Sequence, residues 1–236
     1  MGALATFAWN YPFLLPLVAI PIGLIVIFGL NNPEPKSSKS LRQYLGSAWG
    51  YLKNIKVASA FIAGVMLFII VYGPYQTYLS LYLADSFEAS SFIIGVVLST
   101  MAVTSALVSS QLGKIVKVIS VPDLVKLGFV LQAVSLALLP FLPRVELILI
   151  STFLVGLSMG VLLPGLMTYI AGVAPLEYRA AVMSINSTMI RLGQTLGPLI
   201  FGLVYIHASF DGVFLYGAGL VLLMAVVGFV GAKMIR

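Results

Sequence analysis

Hydrophobic side chains run through this sequence in long, nearly unbroken blocks separated by short polar gaps. About 20 apolar residues cross the hydrocarbon core of a bilayer as a helix. That length predicts spans near 11 to 30, 57 to 83, 92 to 112, 121 to 143, 145 to 173, 180 to 206 and 213 to 232. The blocks lack the two-residue alternation of membrane-barrel strands, so helices are expected throughout. The predicted fold is an all-α integral membrane protein with seven transmembrane helices.

The polar gaps carry an orientation signal. Lys36, Lys39, Arg42, Lys53 and Lys56 lie in the first gap, Lys114, Lys117 and Lys126 around the third, Arg179 in the fifth, and Lys233 and Arg236 in the tail. Eleven of the thirteen basic residues thus fall on alternate gaps, and loops rich in Lys and Arg stay in the cytoplasm. A multi-pass protein of the cell membrane is expected, with its amino terminus outside and its carboxyl terminus inside. The amino-terminal block has neither a charged leader nor a small-residue cleavage pattern, and is expected to be a retained span.

Three regions follow: residues 1-30 with the first helix, 31-56 as a basic cytoplasmic linker, and 57-236 as a bundle of six helices. The linker opens Asn-Asn-Pro-Glu-Pro and then turns amphipathic around Leu41, Tyr44, Leu45, Trp49 and Leu52. A helix on the inner membrane surface and a partly ordered tether both fit that pattern.

Composition narrows the function classes. Charged residues make up 8% of the chain and hydrophobic ones 61%, which excludes an ordinary soluble domain. The net charge of +6 is spread over the gaps, so it does not form the single basic face that nucleic acid requires. Zero cysteines and one histidine, His207, leave no basis for a metal site or a nucleophilic triad. No phosphate-binding loop or nucleophile elbow is present, so an enzyme is not expected and no cofactor is implied.

The sixth span carries the most chemistry. Arg191 stands twelve residues beyond Arg179 and is the one charge deep inside a span. At 1.5 Å per residue that is about half the hydrocarbon thickness. An arginine at this depth costs about 2.5 to 3.5 kcal/mol and must face protein or water. Ser184, Ser187, Thr188, Arg191, Gln194 and Thr195 recur at helical offsets and form one polar stripe. Asn186, Gly193 and Gly197 line up elsewhere, the two glycines as a small-xxx-small pair suited to close helix packing. Ile185, Met189, Leu192 and Leu196 make an apolar face expected to meet lipid. The polar stripe suits the wall of a water-filled path, although Arg191 could instead bind carbonyls of a broken neighbouring helix.

In the second span, Gly73 and Pro74 interrupt helical hydrogen bonding near the middle. Tyr72, Tyr75 and Gln76 flank them and are expected to share a face that contacts solute. Tyr78 and Tyr82 are expected in an interfacial aromatic belt. Gly156, Gly160, Pro164 and Gly165 in the fifth span suit packing and bending. Ser99, Thr100, Thr104 and Ser105 in the third can bond their own helix backbone. No Asp or Glu lies in the interior of a span, so no carboxylate is available there to carry a proton.

Pro175-Leu-Glu-Tyr-Arg179, Asn186 and Arg191-Leu-Gly-Gln-Thr-Leu-Gly-Pro198 together resemble the start of the eleventh helix of the major facilitator superfamily. Trp9-Asn-Tyr-Pro-Phe13 and Asn31-Asn-Pro-Glu-Pro35 resemble the borders of that family's sixth helix. The resemblance makes the seven spans helices six to twelve of a twelve-helix design, and residues 36 to 56 its central cytoplasmic loop. One motif departs from the pattern. Where the family's loop between helices eight and nine carries Asp-Arg and a second glycine, this chain has Lys117, Val118 and Ser120.

The resemblance implies transport of a small-molecule substrate, with efflux among the directions it allows, by alternating access between two helix bundles. It also implies that the chain is incomplete alone. It would need a separately encoded amino-terminal half or a second copy of itself, or else be a non-transporting remnant. A seven-helix receptor shares the predicted topology but has no supporting motif, and the last span lacks the mid-helix lysine a retinal protein needs.

Overall fold

The computed structural model describes residues 14, 17, 19–29, 55–173 and 179–234, and among these every regular element is helical. Helix α1 is Ala19–Gly29 and buries none of its residues. Helix α2, Ile55–Ile70, runs through a π-helical segment, Val71–Tyr78, into α3, Leu79–Ser86. Helices α4 (Ser91–Ile115), α5 (Val121–Leu138, ending in a 3-10 turn at Leu139–Phe141), α6 (Val145–Val173) and α7 (Arg179–Met234) follow. The expected linker and its amphipathic stretch lie outside the described residues, as do the borders of the first span and Pro175 to Tyr178.

Among the described residues, five helical stretches are long and apolar enough to cross a membrane: Val57–Ser86, Ser91–Ile115, Asp123–Phe141, Val145–Gly172 and Arg179–Val226. The last of these makes two passes. Ser209, with φ 55° and ψ −165°, interrupts its helical backbone. A Cβ placed on Gly217 would lie 3.6 Å from Cε1 of Phe201. Sixteen residues of uninterrupted helix would hold those positions roughly 24 Å apart, so the chain reverses at Ser209. The expected gap between the sixth and seventh spans is thus one non-helical residue.

The α2–π–α3 rod lies along α7, which also packs on α5, while α6 sits between α4 and α5. Small residues set these approaches. A Cβ on Gly156 would fall 2.8 Å from the Met101 carbonyl oxygen, and one on Gly160 would fall 2.8 Å from that of Ser105, so α6 lies backbone to backbone on α4. Leu67, Ile70, Leu79, Leu83, Leu136 and Phe214 form the centre of the main apolar core.

Pro74 explains the π segment. Its ring would clash with the carbonyl four residues back in an α-helix, and it has no N–H to donate. The wider π turn accommodates the ring, and the Leu79 N–H donates to the Pro74 carbonyl five residues earlier.

Candidate functional site

Helix α7 separates its residues by face. Val182, Asn186, Gly193, Gly197 and Phe201 are buried, at offsets of four and seven that place them on one side. A Cβ on Gly193 would lie 2.5 Å from the Val65 carbonyl oxygen, and one on Gly197 would lie 2.6 Å from that of Ile69. The Asn186 amide donates to the sulfur of Met167 at 3.3 Å.

The opposite side is open. Ser184, Ser187, Thr188, Arg191 and Thr195 are exposed and Gln194 is half-buried. The Arg191 guanidinium donates to Gln194 Oε1 at 2.9 Å. The hydroxyls turn inward along the helix: Ser187 donates to the Met183 carbonyl at 3.0 Å, Thr188 to that of Ser184 at 3.2 Å, and Thr195 to that of Arg191 at 3.1 Å. Because those three protons are held by the backbone, the rest of the Arg191 fork and the amide N–H groups of Gln194 are donors able to bind an incoming acceptor. The supposed lipid face is more enclosed than expected. Ile185 and Leu196 pack against the apolar clusters and only Leu192 is well exposed.

The π segment separates the three residues expected on one face. Gln76 is exposed, Tyr72 is half-buried with its ring stacked 6.0 Å from Phe68, and Tyr75 is only 1% exposed. A π turn holds more residues than an α turn, so side chains at α-helical spacing no longer align. Tyr75 points into the bundle, where its hydroxyl meets Ser135 and lies 3.1 Å from Ser151 Oγ. It is removed from the exposed side of α7 that holds Arg191.

Ser135 and Ser151 form a reciprocal clasp between α5 and α6. The Ser135 hydroxyl donates to the Ser151 carbonyl at 2.7 Å, and the Ser151 hydroxyl donates to the Ser135 carbonyl at 3.0 Å. With both serine protons so used, the Tyr75 O–H is the donor to the serine oxygens. Sequence reasoning passed over this cluster. The available signal was Gln132 with Ser135 three residues on, and Ser151 with Ser158 seven residues on, each pair on one helical face of an otherwise apolar span.

Two further features complete the outer surface. On α4 an open groove of about 430 Å³ is lined by Ser99 and Thr100, whose hydroxyls donate to Gly95 at 2.6 Å and Val96 at 3.2 Å. Near the α3 end, Tyr82 packs against Phe87, Phe210 and Phe214, and Tyr78 against Tyr205. These tyrosines belong to an aromatic cluster clamping the turn of α7. Among the described residues no group of acidic, His and Cys side chains is placed to hold a metal ion.

Residues 75–233 match the family described as Major Facilitator Superfamily. The chain is also similar to multidrug resistance protein MdtG of Citrobacter koseri, 25% identical over 86% of this chain and 50% of that protein. It is similar to multidrug resistance protein MdtG of Escherichia coli, 24% identical over 91% of this chain and 53% of that protein. The chain therefore spans about half the length of the curated relatives it matches.

Proposed function

The chain belongs to the major facilitator superfamily, and from that premise we propose that it forms the carboxyl-terminal helix bundle of a secondary transporter exporting a small solute. Family membership makes it a multi-pass membrane protein of a transporter family and not an enzyme. The proposal concerns what this bundle contributes to transport.

The observation that carries it is the division of α7. One side is packed backbone to backbone on α2, and the other presents Arg191 with Gln194 at 2.9 Å on an open polar stripe. An open guanidinium in the middle of a span is tolerated only against water or protein. Such a face is the wall of a solute path closed by a second helix bundle. That bundle would come from a longer form of this polypeptide, a separately encoded amino-terminal half, or a second copy. The name of the relatives favours export of varied small molecules. Arg191 favours a substrate carrying an anionic or hydrogen-bond-accepting group, with Gln76 and the edge of Tyr72 as further contacts.

In the cell membrane the proposed course places the amino terminus outside and the carboxyl terminus in the cytoplasm. Residues 1-30 then supply helix six, 31-56 the central cytoplasmic loop, and 57-236 helices seven to twelve.

The test is export of a panel of dyes and drugs from cells carrying the assembled transporter, with Arg191→Gln and Arg191→Lys compared at equal membrane abundance. Loss of a charge-assisted contact of about 1.5 to 3 kcal/mol corresponds to a roughly ten- to hundredfold loss of apparent affinity for Arg191→Gln. Arg191→Lys is expected to retain part of it. Unchanged export by Arg191→Gln would overturn the assignment of this face, and flux from the chain reconstituted alone would overturn the need for a second bundle.

A further inference from the structure

The turn between α4 and α5 combines charge and apolar exposure in a way that packing inside the bundle does not explain. Its sequence is Lys114-Ile-Val-Lys117-Val-Ile-Ser-Val121. Both lysines are exposed. Between them and beyond, Val116 is 38% exposed, Val118 87%, Ile119 38% and Val121 40%. Four β-branched apolar side chains thus face outward from a segment of eight residues.

The segment is an ordered turn. The Val116 N–H donates to the Leu112 carbonyl at 2.9 Å, and Val118 and Ile119 both donate to that of Ile115 at 3.0 Å. Ser120 then caps α5, accepting from the Asp123 N–H at 3.4 Å. The nearest acid, Asp123, is held by the Ser120 hydroxyl at 2.6 Å and by Lys126 at 2.9 Å. Its charge is therefore matched within α5, which leaves Lys114 and Lys117, among the described residues, as a local positive excess.

Position decides what can meet this surface. Ser91–Ile115 and Asp123–Phe141 both have the length and hydropathy to cross a membrane, so the turn joining them lies at headgroup depth. Apolar side chains at that depth gain by entering the boundary of the acyl chains. Lysine stems follow the apolar surface while their ammonium groups reach outward to phosphate. Anionic headgroups supply the complementary charge. The departure from the family motif fits the same chemistry, since Lys117 and Val118 occupy the positions where an acid and an arginine would stand.

We propose that the α4–α5 turn is a docking surface for anionic phospholipid, with Lys114 and Lys117 on headgroup phosphates and Val116, Val118 and Ile119 in the acyl boundary. The proposal rests on the transmembrane course of α4 and α5 and is independent of what is transported.

The experiment uses the full chain in nanodiscs of phosphatidylcholine with or without phosphatidylglycerol. Trp9→Phe and Trp49→Phe remove the native tryptophans, and V118W places a reporter at a site exposed enough to leave packing intact. The reporter is expected to be quenched by phospholipids brominated near the headgroup end of the acyl chain. At low salt, quenching should be stronger with brominated phosphatidylglycerol, reflecting enrichment of roughly fivefold per lysine, and this preference should shrink at high salt. K114Q/K117Q should abolish the preference while leaving quenching by brominated phosphatidylcholine. Equal quenching by the two lipids would overturn the charge recognition. A reporter open to iodide but not to brominated lipid, or shielded from both by a second copy or another protein, would overturn lipid docking.

Discussion

Gly73 and Gly197 face each other across the contact between the π segment and α7. A Cβ on Gly197 would lie 2.9 Å from the Gly73 nitrogen, and one on Gly73 would lie 3.0 Å from the Gly197 carbonyl oxygen. Both obstacles are backbone atoms, which cannot rotate away as a side-chain tip can. Gly197→Ala is therefore expected to cost about 1 to 3 kcal/mol through overpacking. Gly219 has nothing within 4 Å of its Cβ position, so Gly219→Ala should melt at or slightly above the wild-type temperature. Thermal unfolding of the purified chain in detergent compares the two, and a Gly197→Ala melt equal to wild type would rule out the close contact.

The Tyr75 hydroxyl donates into a pair of serines whose own protons are already placed on each other's carbonyls. Removing the donor and removing the acceptors should therefore differ. Tyr75→Phe leaves the serine clasp intact and is expected to cost about 1 kcal/mol. The Ser135→Ala/Ser151→Ala pair strands a buried phenol and should cost more, about 1 to 3 kcal/mol for the orphaned group plus the lost clasp. Adding Tyr75→Phe to that pair should restore part of the loss. If the triple variant melts below the double, the phenol has another partner and the donor assignment fails.

The helical passes were legible because hydropathy over 20 residues reports directly on a bilayer crossing. The face carrying Arg191 was legible because α-helical periodicity holds through that part of α7. Tyr75 was misplaced because the same periodicity was applied across Pro74, where the backbone is π-helical and side chains are displaced around the axis. The polar faces of Ser135 and Ser151 could be read from their spacing, but their pairing could not: the two lie on separate spans, and their mutual register depends on how α5 and α6 pack. The turn at Ser209 was expected as a loop, because a one-residue reversal with positive φ has no hydropathy signature.

That reversal makes its own prediction. Ser209 adopts φ 55° and ψ −165°, a region in which residues other than glycine carry about 1 to 3 kcal/mol of backbone strain. Ser209→Gly relieves it, with up to about 1 kcal/mol returned to the more flexible unfolded chain. A small net rise in melting temperature is expected for Ser209→Gly and a clear fall for Ser209→Val, whose branched Cβ crowds the same conformation. A lower melt for glycine than for serine would show that the Ser209 side chain itself holds the turn.

Gln132 is 0% exposed, and neither its amide nitrogen nor its amide oxygen has a hydrogen-bond partner among the described residues; the same is true of the Ser158 hydroxyl, also 0% exposed. The α5–α6 register is fixed at one level by the Ser135–Ser151 clasp and at another by Gly128, whose Cβ would lie 2.7 Å from Leu162. Gln132 falls between Gly128 and Ser135, and Ser158 between Ser151 and Leu162, so both belong to the same stretch of the seam. A buried polar group without a partner costs about 1 to 3 kcal/mol, whereas an apolar group of similar shape carries no such penalty. Gln132→Leu combined with Ser158→Ala is therefore expected to raise the melting temperature in detergent. A fall beyond the small cost of altered packing would mean that the amide and hydroxyl are satisfied in the folded protein by something held between α5 and α6. Hydrogen–deuterium exchange of the neighbouring backbone amides would then locate that contact.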